Sequence, residues 1–101
     1  MAPLTDLGPG LVTTRVHGAE LVVELSGQID LCLCAELRAL SQRLAHHHGP
    51  VVVDLVALRF GDTTAAGFVA ETLGRGAATV RAPTRLSREF LTLYGLDRHA
   101  H

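Results

Sequence analysis

From residue 11 onward the chain reads as short apolar stretches set between polar or glycine-rich breaks. Residues 11–16 (LVTTRV) and 21–27 (LVVELSG) are rich in β-branched and aliphatic side chains and are separated by HGAE. That spacing predicts a β-hairpin with its turn at Gly18. The pattern then changes period. In residues 29–48 (IDLCLCAELRALSQRLAHHH), Leu33, Leu37, Leu40 and Leu44 fall at i, i+4, i+7 and i+11, one face of a helix that Gly49-Pro50 ends. Residues 51–58 (VVVDLVAL) are almost continuously apolar, as expected of a central strand covered on both faces.

Residues 64–74 (TAAGFVAETLG) carry the small and apolar side chains of a short helix ending at Gly74 or Gly76, and residues 77–82 (AATVRA) read as another strand. In residues 83–97 (PTRLSREFLTLYGLD) a helix is predicted to bury Leu86, Phe90 and Leu93 and to stop at Gly95. Gly95 followed by Leu96 matches a Schellman-type cap. The order is β-β-α-β-α-β-α, which predicts an α/β domain. Its mixed sheet has about four strands: an antiparallel opening pair, then parallel neighbours joined by right-handed crossovers.

With 101 residues, 48% of them hydrophobic, the chain can bury one modest core. Residues 11–97 form the expected domain, after a flexible or partly docked leader at 1–10 and before a short tail at 98–101. No apolar run approaches the roughly 20 residues of a membrane-spanning helix. The start, MAPLTDLGPG, lacks the basic and apolar regions of a secretory signal, so a cytoplasmic location without membrane insertion is expected. The net charge is -1, and nine arginines are scattered from Arg15 to Arg98, an arrangement that argues against direct nucleic-acid binding. All basic charge is Arg, with no Lys and no Asn, a bias that fits a GC-rich bacterial genome.

Candidate chemistry is sparse. Cys32 and Cys34 make a lone C-x-C without the second ligand pair of a zinc site, and two cysteines so close are poor disulfide partners. They are expected to be reduced structural thiols near a helix start. His46, His47 and His48 are expected in a last helical turn, where they suit the negative end of the helix dipole better than a metal. GRGAA at 74–78 precedes a strand and lacks the third glycine of a phosphate loop. Asp54, inside an apolar strand, reads as a structural acceptor. No acid, base and nucleophile converge, so neither an enzyme nor a cofactor is expected.

The informative segment is residues 60–67, FGDTTAAG, at a strand-to-helix junction. Asp62, Thr63 and Thr64 are all residues that cap helices. Such junctions also present functional groups in α/β domains, because the helix amides point into an exposed loop. A phosphoryl group on Thr64 would add roughly -1.5 to -2 charges beside Asp62. The helix start tolerates that charge, whereas a docked partner would not.

Three segments in this order resemble the STAS domain family: SGQIDL (26–31) is similar to its Gly-Glu-Leu-Asp-Leu segment, residues 51–67 to its aliphatic strand and Asp-Ser-Ser-Gly-Leu-Gly, and LTLYGLD (91–97) to its closing helix. The likeness spans residues 10–97 and is greatest to bacterial anti-sigma factor antagonists. It implies a switch protein that binds an anti-sigma factor acting also as a serine-threonine kinase, thereby freeing a sigma factor. Phosphorylation ends the interaction and a phosphatase restores it. Carried over residue by residue, Thr64 matches the phosphoacceptor, and Asp62 and Thr63 match the two residues before it. Asp30 matches an acidic residue of the partner-facing surface. Ala65 and Ala66 stand where the family has Gly and Leu, which adds a Cβ where a kinase would approach and thins an apolar contact patch. Three other roles resemble this pattern within the family: the accessory subunit of a lipid-transporting ABC system, whose junction reads Asp-Thr-Ala-Gly, a divergent STAS interaction module that is not phosphorylated, and a scaffold domain of a stress-sensing assembly.

Overall fold

The computed structural model describes residues 10–99. The expected leader lies outside the described residues except for Gly10, as do the last two residues of the expected tail. Strands β1 (Leu11–His17) and β2 (Glu20–Ile29) form the antiparallel hairpin, with Gly18 in the left-handed conformation its turn needs (φ 63°). A single 3-10 turn (Leu31–Leu33) leads into α1 (Cys34–Leu44). Then come β3 (Val51–Asp54), β4 (Leu58–Gly61), α2 (Thr63–Gly74), β5 (Ala78–Arg81) and α3 (Arg85–Leu93).

The sheet runs β1-β2-β3-β5, with β4 paired to the far part of β2. Residues Val23, Val53 and Val80 lie side by side across three parallel strands, all fully buried, and mark the centre of the core. Because β2, β3 and β5 are neighbours in chain order, right-handed crossovers put α1 and α2 on the same face. Both helices therefore run against the strands, parallel to each other, and start at the same end of the sheet. Leu37, Leu40 and Leu44 of α1 pack in the same cluster as Ala65, Phe68 and Val69 of α2. Each fully buried leucine contributes about 1.5–3 kcal/mol through removal from water.

The sheet has five strands rather than about four, because the run at 51–58 breaks in the middle. Asp54 is 3% exposed, and its carboxylate turns the chain by accepting from the Val56 amide at 3.0 Å. A second tight turn, Leu58 N–H to Leu55 C=O at 3.1 Å, completes the jog. The chain re-enters the sheet as β4, beside Gly27–Ile29 of β2. Gly27 has φ 69° and sits at the register shift between the two halves of β2, a bulge that only glycine adopts without strain. Asp54 also accepts from Arg81 at 3.4 Å, the structural role expected of it.

Two further expectations are corrected. The histidine run lies beyond α1, not in its last turn: the helix ends at Leu44, and closing bonds from His46 to Arg43 and from His47 to Leu44 tighten the chain out of it. The His47 carbonyl accepts from Arg75 Nη2 at 2.7 Å, which ties this loop to the end of α2.

In α3, Phe90 is buried as expected, but Leu86 and Leu93 are 47% and 74% exposed. The helix is rolled so that Ser87 and Leu91 face inward. Ser87 is satisfied by a capping box with Thr84, donating to the Thr84 carbonyl and accepting from its amide. The helix end is as expected: the Leu96 amide reaches the Leu91 carbonyl at 2.8 Å and the Gly95 amide the Thr92 carbonyl at 3.2 Å, the two bonds of a Schellman cap.

Candidate functional site

β2 and β4 end together. Ile29 pairs with Gly61, and the Asp62 amide donates to the Ile29 carbonyl at 3.2 Å. The next residue on each chain is an aspartate, so Asp30 and Asp62 leave the sheet side by side and each opens a helical segment. Asp30 accepts from the Gln28 side-chain amide at 2.7 Å and from the Cys32 backbone amide at 3.0 Å. The Gln28 donor, then the Cys32 amide, hold the Asp30 carboxyl below the usual carboxylate range, against a small opposing effect of burial.

Asp62 is the N-cap of α2. Its Oδ1 accepts from the amides of Thr64 at 2.8 Å and Ala65 at 3.3 Å. The carboxylate receives two amides of this first turn and the Asp62 carbonyl a third, from Ala66, so the threonine hydroxyls are not spent on capping. Thr63 is exposed and Thr64 half-buried. Both line an open cleft of about 290 Å³ between α1 and α2, together with Cys34, Arg38, Gly67 and Glu71.

Ala65 and Ala66 are 0% and 7% exposed. The Ala65 methyl faces Gly61 and not an approaching kinase, because a Cβ built on Gly61 would stand 3.1 Å from it and 2.6 Å from the Phe90 ring. Small residues at 61, 65 and 66 let the start of α2 sit close to β4 and α3. The six expected site residues are therefore contiguous, but only Asp30, Asp62, Thr63 and Thr64 offer side-chain atoms to a partner.

Sequence reasoning missed Gln28, which holds Asp30, and the α1 side of the cleft. Cys34, Arg38 and Ser41 recur at i, i+4 and i+7 beside the leucine face, a stripe that was legible as a second helical edge. Cys32 is exposed and Cys34 half-buried, both as free thiols. Among the described residues no group of three His, Cys, Asp or Glu side chains could hold a metal, and no helix is long and apolar enough to cross a membrane.

A family model described as "Mlab, STAS domain" matches residues 12–99, nearly the whole described chain. The chain belongs to the STAS domain family. Solved structures agree on the fold of this STAS domain. An anti-sigma factor antagonist from Mycobacterium paratuberculosis superposes with a TM-score of 0.76 at 23% identity, over 97% of this chain and 86% of that one. The anti-sigma factor antagonist SpoIIAA in its unphosphorylated form gives 0.72 at 16% identity, over 90% and 86%. The Bacillus cell fate determinant SpoIIAA in its phosphorylated form gives 0.60 at 15% identity, over 92% and 89%. No curated protein sequence matches the chain.

Proposed function

We propose that this STAS domain is an anti-sigma factor antagonist. It binds an anti-sigma factor that is also a serine-threonine kinase, and so releases a sigma factor. It is switched off when the kinase phosphorylates Thr64 and restored by a phosphatase. The observation that carries this reading is the division of labour at the junction: Asp62 caps α2, and Thr64 keeps an uncommitted hydroxyl in an open cleft at the helix start. The likeness to SpoIIAA, a fold described in both unphosphorylated and phosphorylated forms, supports it. Asp30, Asp62 and Thr63 form the partner-facing rim, and Ala65 and Ala66 support it from beneath.

The test is incubation with the cognate kinase and labelled ATP followed by peptide mapping. One phosphate on Thr64 is expected; label on Thr63, or none with an active kinase, overturns the assignment. In binding, Thr64→Glu weakens the kinase complex at least about tenfold relative to Thr64→Ala, equivalent to ~1.4 kcal/mol. Equal affinities for the two variants would remove charge at this position as the switch.

A second reading is an accessory subunit of a lipid-transporting ABC system. It is favoured by the family description, which names Mlab, and by Thr63, which stands after the aspartate as in Asp-Thr-Ala-Gly. Affinity purification from the native cell separates the two: recovery of a small ATP-binding kinase supports the first, and recovery of a permease with its ATPase supports the second.

A further inference from the structure

We propose that Arg38 is the internal receiver of a phosphate on Thr64, so that phosphorylation ties α1 to α2 and fills the cleft between them. This rests on Thr64 as the phosphoacceptor. Transfer from ATP forms the Thr64 Oγ1–P bond, breaks the bond from the β,γ-bridging oxygen to the γ-phosphorus, and releases ADP and the hydroxyl proton.

The geometry points to Arg38 through the parallel course of the two helices. Cys34, the first residue of α1, and Thr64, the second of α2, line the same cleft together with Arg38. Arg38 belongs one turn further along, yet its side chain bends back and brings Nη2 to 3.7 Å from the Cys34 sulfur. Long helical side chains lean toward the N-terminus in this way. The guanidinium is thereby held beside the Cys34 thiol, in the cleft whose other wall carries Thr64. A thiol is a weak acceptor, so turning the guanidinium to a phosphate costs little and gains a charge-assisted bond.

Gly67 keeps the way open: a Cβ there would meet nothing within 4 Å. The other charged groups around the cleft are Glu71 on α2 and the Asp62 carboxylate at the cap, both of which repel a phosphate; the thiol of Cys34 is the remaining titratable group. Arg38 is the only cation among the described residues lining this cleft. The switch then acts twice, by adding negative charge and by occupying the space a partner would enter.

The test does not depend on the kinase. Phosphothreonine is installed at position 64 of the full chain by genetic encoding, and its second ionisation, ordinarily near pH 6, is followed by phosphorus-31 NMR. Arg38→Gln is expected to raise that pKa by at least about half a unit, a modest shift for a partly screened pair. Arg38→Lys recovers part of it, and Arg43→Gln, outside the cleft, changes nothing. Identical titrations for the unsubstituted and Arg38→Gln phosphoproteins would overturn the inference. Failure of the kinase to label Thr64 would instead sink the proposed function and leave this result standing.

Discussion

The two strand-to-helix junctions at one end of the sheet look alike in sequence and differ in what they leave free. Both place an aspartate directly after the paired residues Ile29 and Gly61, and both use it to receive backbone amides. At Asp30 the carboxylate has a further side-chain partner, Gln28, and opens only a single 3-10 turn before α1 begins. At Asp62 the carboxylate starts a 12-residue helix directly, and two hydroxyl residues come after it. The first junction is a fixed negative charge. The second combines a two-amide side-chain cap with side chains that remain available for chemistry. The consequences of an aspartate at a helix start thus depend on the residues next in the chain and on how closely the helix can approach the sheet.

The second junction is most severely disturbed by removing the room beneath it. A side chain at Gly61 would meet the Phe90 ring at 2.6 Å and the Ala65 methyl at 3.1 Å. Gly61→Val is expected to cost about 1–3 kcal/mol through overpacking, read as a lower urea midpoint with an unchanged slope. Gly67→Ala, which meets open space inside α2, serves as the contrast and should raise stability by about 0.5–1 kcal/mol. If Gly61→Val is as stable as the parent chain, close approach of α2 to β4 and α3 is not what the glycine provides.

This dependence on close approach also explains how much could be read from the sequence. The hairpin, the Leu37-Leu40-Leu44 face and the Gly95-Leu96 cap are local patterns, and each was legible because its partners lie within one or two turns of the chain. The break at Asp54 was not, because VVVDLVAL has no turn residue other than that aspartate. The place where β4 rejoins the sheet is fixed by Gly27, far away in sequence. The roll of α3 was hidden for a related reason. Leu86, Phe90 and Leu93 mark an apolar face, but Phe90 must reach Gly61, and the capping box makes Ser87 an acceptable buried residue. The position of the phosphoacceptor candidate came from a resemblance. Its freedom from capping is visible only in the folded chain, since Asp, Thr and Thr in a row are equally plausible caps by residue type.

A smaller effect separates the two aspartates themselves. Asp62→Ala removes an acceptor from two amides in the first turn of a long helix and is expected to cost about 1 kcal/mol, the usual loss for an N-cap. Asp30→Ala should cost less, because the 3-10 turn it caps is short and α1 begins beyond it with its own buried leucine face. Thermal or urea unfolding of the two variants side by side gives the order directly. A larger loss at Asp30 would reverse that order and make the first junction the more important anchor of the helical layer.

The smallest effect is in pH, and it belongs to Asp30. Hydrogen bonds from Gln28 and then the Cys32 amide lower its pKa in the folded protein. A carboxyl with a depressed folded pKa binds protons more readily when unfolded, so its contribution is complete above the ordinary aspartate value near 3.9 and is lost as pH falls through the lower folded value. The parent chain should therefore lose stability below about pH 4 more steeply than Asp30→Asn, and above pH 5 the difference between them should be constant. Gln28→Ala should move the Asp30 titration, followed by NMR, back toward the ordinary value. An Asp30 titration that ignores Gln28 would mean that the side-chain amide does not hold this carboxylate, and that difference between the two junctions would disappear.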